Sequence, residues 1–297
     1  MMLDFQNFYD WDYMKVHPRY SYHLEDWGSA YSQSGKAGDW PECVDYTVKN
    51  IGDWEKLNVL KLREGVLGQI LKAVFEIIKG LGNKVPFIMT IFSPLMIANH
   101  LCGFIQGTHD LERYMREAPD KLDKGMEIIT ETFVLFAEEL KKIGVDGLFF
   151  ATKETSDDFT SAEEYQKVAG KYDRRILETV EDLPFTMLHL CGDKIHFESM
   201  TKYPITMVHW DSSTGNNPSY AEGRRILGDH LAIGGGPNRH FMAAAEPEVL
   251  KKKIKKVMLE TEGKHFLLGP ACSVLIAETA EEKVWLLRNA PEQYMEY

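Results

Sequence analysis

The sequence predicts an α/β protein built as a (β/α)8 barrel, on three observations. From about residue 85 onward, short apolar runs rich in β-forming residues alternate with longer amphipathic segments, the order of a parallel sheet with helical crossovers. Each run is continuously apolar at its centre, as a strand covered on both faces must be. The length of 297 residues suits one such barrel, whose usual size is about 250 residues. A doubly wound open sheet is the rival, but no Gly-x-Gly-x-x-Gly follows a first strand and the run Gly234-Gly235-Gly236 comes late, so dinucleotide binding has little support.

Taken in order, the first candidate strand is Asp12 to His17, closed by Pro18. Residues 27–48, with Gly28, Gly35, Gly38 and Pro41, form a turn-rich, hairpin-like insertion before a helix over Val66 to Ile78. Six more strands follow: Pro86 to Phe92, Asp146 to Thr152, Phe185 to Leu190, Ile205 to Trp210, His230 to Gly234 and His265 to Gly269. Helical sequence runs to Leu140 after the first of these six, from Ala162 to Val180 after the second, and from Lys194 to Thr201 after the third. Near the end, Val249, Leu250, Ile254, Val257 and Met258 recur at helical spacing, with a lysine run on the solvent side. No linker or repeat divides the chain, so one domain over 1–297 is expected.

Composition narrows the function. Thirty-four Lys and Arg against 45 Asp and Glu leave a charge of −11, which disfavours nonspecific attraction to nucleic acid or to an anionic membrane. Four scattered cysteines do not make a secreted disulfide scaffold. The acidic N-terminus lacks an apolar signal region, and no stretch of about 18 apolar residues is present. A cytoplasmic protein with a small-molecule substrate is expected.

The chemistry concentrates at strand ends. His189-Leu-Cys191-Gly closes one predicted strand, and Gly269-Pro-Ala-Cys272 closes the last. In a barrel all strand C-termini open onto one mouth, where active sites sit. Two residues apart in a strand, His189 and Cys191 point to the same side. With Cys272 they make a Cys2His set, the three-ligand pattern of a catalytic zinc with an open fourth position; the alternative is three small buried side chains. His209 and Asp211 share a strand side and are candidates for a proton relay or for orienting a ligand. Arg19, Thr152, Lys153 and Arg239 are candidates for substrate binding, the cations for an anionic group, against the alternative of solvated loop residues. His17, Ser93 and Asn238 are further polar residues at strand ends, and the glycine run is either a phosphate cradle or plain turn geometry.

His-Leu-Cys-Gly after a strand, the late Gly-Pro-x-Cys, and the segment DYMKVHPRYSYHLEDWG from Asp12 to Gly28 together resemble the uroporphyrinogen decarboxylase superfamily, in particular its cobalamin-dependent methyltransferase branch. The resemblance covers nearly the whole chain. It implies a (β/α)8 barrel, zinc held by His189, Cys191 and Cys272, a methylcorrinoid carried by a partner corrinoid protein, and a small thiol as methyl acceptor. The Arg-Gln-Ala-Gly-Arg signature of the true decarboxylases is absent. Relatives of this type carry more chain before the equivalent of Met1, including a first barrel strand that is not found here. The expected barrel therefore lacks its N-terminal first strand, either as an N-terminally shortened gene product or with the gap filled by oligomerisation into a homo-oligomer. Two other readings stay open: a metal-free decarboxylase acting on a porphyrinogen or similar substrate, and a corrinoid- or porphyrin-binding protein without turnover.

Overall fold

The computed structural model describes residues 1–36, 41–103 and 109–294; Gly38 of the predicted insertion lies outside them. Seven strands form one parallel sheet: β1 (Met14–Val16), β4 (Phe87–Phe92), β5 (Gly147–Thr152), β6 (Met187–Leu190), β7 (Met207–Trp210), β8 (Ala232–Gly235) and β9 (Phe266–Leu268), each beside the next. Two short strands, β2 (Ala30–Ser32) and β3 (Glu42–Asp45), pair antiparallel outside it. The seven predicted runs all become strands, shortened by up to two residues at an end, except that β8 runs one residue further, to Gly235. The sheet curls as an incomplete barrel, with β1 and β9 as its edges among the described residues.

Helices pack on the outer face for reasons legible in their ends. The 25-residue helix Pro119–Ile143 starts with proline at its first turn and stops at Gly144, whose φ of 104° is open to glycine and strained for other residues. The helical sequence after β4, expected to run to Leu140, is divided among the helices Pro94–Leu101, Asp110–Glu117 and Pro119–Ile143. Ser93 and Asn238, candidates for the pocket, are helix N-caps that accept from the backbone N–H of Met96 and His240, so their oxygens serve the helices. β4 and β5 are buried along their whole length, enclosed by this layer on one side and the barrel interior on the other.

The alternation of side chains decides what reaches that interior. In β5, Phe149 stacks on His189 of β6 with ring centroids 5.2 Å apart, so Phe149 and His189 face inward. Residues of opposite parity face the helices. Across the two sheet edges, the helix Met2–Tyr9 lies against the helix Glu281–Arg288: Tyr9 meets Trp285 at 4.8 Å, and Arg288 Nε donates to the carbonyls of Tyr9 and Asp10 at 3.1 and 2.8 Å.

Candidate metal centre at the strand ends

His189 comes from the end of β6, Cys191 from the turn after it, and Cys272 from the loop after β9. Their ligand atoms all lie within 4.8 Å of one another. Local chain geometry brings them there. The N–H of Cys191 bonds the carbonyl of Thr152 at 2.9 Å, continuing the β5–β6 ladder by one residue, and Gly192 turns the chain away with φ 107°. The Cys272 loop is pinned to β8 and the turn after it by Gly269 N–H to Gly235 O at 2.9 Å and Ala271 N–H to Pro237 O at 3.0 Å.

A row of hydrogen bonds sets the imidazole that faces the thiols. His209 Nε2 lies 3.1 Å from the carbonyl of Pro270, which can only accept, so Nε2 carries the proton. His209 Nδ1, 2.8 Å from His189 Nδ1, then accepts from His189, and the remaining lone pair of His189 sits on Nε2. That Nε2 is buried and has no hydrogen-bond partner among the described residues. A neutral imidazole whose other nitrogen is held by an outer group is the form in which histidine binds metal. Burial, with His189 and Lys15 alongside, holds His209 well below its ordinary pKa, which keeps it neutral. The two thiols act as a pair. The hydrogen bond from Cys191, with His189 alongside, lowers Cys272, and the same bond together with desolvation raises Cys191. The donor set, its spacing and the orphaned nitrogen fit a zinc ion.

The other candidates separate. Asp211 does not bond His209; its Oδ1 accepts from the N–H and hydroxyl of Ser213 at 2.8 and 2.6 Å, and its Oδ2 accepts from Asn238 at 2.5 Å. It ties the turns after β7 and β8 together instead of extending a relay. Thr152 is turned away from the mouth, its hydroxyl 3.3 Å from that of Tyr165 in the helical layer, because Phe149 takes the inward parity in β5. Arg19 is drawn off by Glu25, to which Nε and NH2 donate at 2.6 and 2.8 Å. Arg239 stays beside the site, donating to Ser273 Oγ at 3.3 Å next to Cys272. Lys153 is exposed in the loop after β5.

Two charged residues escaped the sequence reading. Lys15 lies between the buried Met14 and Val16 of β1 and points inward, with Nζ 3.8 Å from the centre of the Phe149 ring. Loss of water pulls it down to about 8, and the charge of Cys272 acts the other way. The signal was a lone charge alternating with apolar neighbours in a short strand. Glu154, two residues beyond β5, is only 2% exposed. Its polar neighbours in sequence disguise it as loop surface. The glycine run is explained by close approach: a Cβ on Gly236 would strike the Gly269 carbonyl, and one on Gly234 would strike Met207 and lie 3.2 Å from the His209 ring.

The chain is similar to known proteins in sequence and in fold. The profile of the family described as uroporphyrinogen decarboxylase (URO-D) matches residues 9–294. The methylcobamide:CoM methyltransferase MtbA of Methanosarcina acetivorans is 29% identical over 253 residues, 81% of this chain and 69% of that protein. A uroporphyrinogen decarboxylase of Syntrophotalea carbinolica is 22% identical over 73% of this chain and 62% of its own length. Among solved structures, a methyltransferase from Methanosarcina mazei superposes with a TM-score of 0.83 at 18% identity, covering 99% of this chain and 83% of that one.

Proposed function

This chain belongs to the uroporphyrinogen decarboxylase family, and from that premise we propose that it is a zinc-dependent methyltransferase, moving a methyl group from a methylcorrinoid on a partner protein to a small thiol. The observation that carries the proposal is the convergence of His189, Cys191 and Cys272 with ligand atoms within 4.8 Å, in a chain similar to proteins named as methylcobamide:CoM methyltransferases. Zinc bound there favours the thiolate form of an added thiol and so supplies a nucleophilic sulfur at neutral pH.

The chain's own residues prepare that chemistry. His209 and the Pro270 carbonyl hold the His189 ring in one tautomer, and the Cys272 loop carries both Pro270 and Cys272, so seating the loop seats the ring. Phe149 and the row of Met187 and Met207 give the interior an apolar lining, which limits water around the sulfur. Lys15 inside and Arg239 at the rim are the cations placed to receive an anionic end of the acceptor; Lys153 flanks the same mouth. Reaction joins carbon to the thiolate sulfur while the cobalt–carbon bond breaks and leaves its electron pair on cobalt.

Elemental analysis of the purified protein tests the proposal. About one zinc per chain is expected in the wild type and none in Cys191→Ser or Cys272→Ser. His209→Phe, which frees the His189 ring, is expected to bind zinc roughly ten- to a hundredfold more weakly. A wild type that stays metal-free after reconstitution under reducing conditions would overturn the methyltransferase mechanism and favour a decarboxylase or a binding protein indifferent to both cysteines.

A further inference from the structure

A thiol that becomes a thiolate must give its proton to something, and the histidines of the metal centre are not free to take it. His209 is committed at both ring nitrogens and His189 at Nδ1. Asp211 is occupied by Ser213 and Asn238. On the β5 side of the mouth stands a second buried polar cluster. Its carboxylate is Glu154, whose Oε1 accepts from Asn99 Nδ2 at 3.0 Å and whose Oε2 accepts the Lys153 N–H at 3.3 Å. Asn99 and the neighbouring His100, both almost fully buried, come from the helix Pro94–Leu101 that follows β4. Tyr20, from the loop after β1, reaches His100 Nε2 at 3.0 Å, and His23 reaches His100 Nδ1 at 3.0 Å.

Position connects this cluster to the thiols. The Cys191 N–H is bonded to Thr152 O at 2.9 Å, so the segment Lys153-Glu154 leaves β5 directly alongside the turn that carries Cys191. The Asn99 side chain and the Lys153 backbone N–H hold the carboxylate there, although burying it costs several kcal/mol unless it is paired or takes up a proton. Asn99 offers a neutral donor and no counter-charge, and the long bond from Lys153 N–H leaves Oε2 with room for another hydrogen.

We propose that Glu154 is the proton acceptor for the incoming thiol, with Asn99 as the residue that positions it. This rests on the thiol-methylation reading of the metal centre. The S–H bond breaks, sulfur keeps the electron pair, and the proton passes to Glu154 Oε2; no oxidant or reductant takes part. Burial raises the Glu154 pKa above that of an ordinary glutamate, which brings it toward the range where a carboxylate works as a general base. Among the described residues, the titratable and charged groups around it and its cluster are Lys153 on its own loop, Cys191 after β6, Tyr20 and His23 from the first loop, His100 and Cys102 at the end of the helix Pro94–Leu101, and Asp173 in the helix after β5.

The test counts protons. Zinc-loaded wild type and Glu154→Gln are titrated calorimetrically with 2-mercaptoethanol in buffers of different ionisation enthalpy. The wild type is expected to release clearly less than one proton per thiol bound, because Glu154 retains it, and Glu154→Gln about one. Methyl transfer from methylcobalamin is expected to fall roughly 10²- to 10⁴-fold in the variant, with zinc content unchanged. Asn99→Ala serves as a second variant should Glu154→Gln fold poorly. Without the Asn99 donor, Glu154 holds its own proton more tightly, so proton release on thiol binding should rise toward one as the pH is lowered and return to the wild-type value as the pH is raised. Equal proton counts in wild type and variants, with normal zinc and thiol stoichiometry, would overturn the role of Glu154 and leave the metal centre standing. Absence of zinc or of thiol binding in the wild type would instead remove the reading on which it rests.

Discussion

At the scale of single residues, the most consequential feature outside the mouth is Asp173. It is completely buried behind β5, accepting from the Tyr165 and Tyr203 hydroxyls at 2.7 and 3.0 Å, with its other oxygen unpartnered among the described residues. Burial pushes its pKa up to about 7, against the opposing pull of the two tyrosine hydrogen bonds. An unfolded aspartate titrates near 3.9, so between about pH 4 and pH 7 the folded chain holds a proton that the unfolded chain has lost. Stability from this group is complete below that window and is lost as pH rises through it. Thermal melts should therefore show Asp173→Asn narrowing the drop in Tm from pH 4.5 to pH 8 by at least about 2 °C relative to wild type. An unchanged drop would mean that Asp173 is ionised in the folded state. The same tyrosine pair explains Thr152: its hydroxyl belongs to this outer network, not to the mouth.

At the scale of elements, the contact between β8 and its neighbours is set by glycine. Gly236 lies against the Gly269 carbonyl, a backbone group that cannot swing aside, whereas Gly234 lies against the mobile end of Met207 as well as the His209 ring. Gly236→Ala is expected to cost about 1–3 kcal/mol and more than Gly234→Ala, measured by urea unfolding. It should also weaken zinc binding, because Gly269 leads into Pro270 and Cys272. Comparable losses in the two variants would show that β8 and β9 can separate without strain. The motif His-x-Cys was legible at this level because a strand's two-residue period puts both side chains on one face. Lys15 obeys the same period, yet in a strand as short as Met14–Val16 the inward side is not evident until Phe149 is seen beneath the ammonium.

For the whole molecule, the sheet among the described residues has seven parallel strands and two edges, β1 and β9, that need cover from water. The helix Met2–Tyr9 supplies cover, resting on the helix Glu281–Arg288 through Tyr9, Phe8 and Trp285 and reaching Gly80 of the helix Gly65–Leu81 through Leu3. Arg288 fastens it by two carbonyls. Arg288→Met should destabilise the protein by about 1–3 kcal/mol. Hydrogen exchange should speed up first in residues 2–16, leaving β5 and β6 protected; uniform acceleration would show that this helix is not a separate cover.

By itself the amino-acid sequence determined the strand-and-helix order, the parallel sheet, and the three residues proposed to hold a metal. These depend on period, apolar content and position at strand ends, all of which are local properties of the chain. Only the tertiary structure decided which polar residues serve the mouth. Arg19 is claimed by Glu25 and Asp211 by Ser213 and Asn238, while Glu154, from a run of polar residues, is enclosed by a helix that begins sixty residues before it. Burial and hydrogen-bond partners come from elements distant in sequence, and a charged side chain carries no local mark of whether water or another element will meet it.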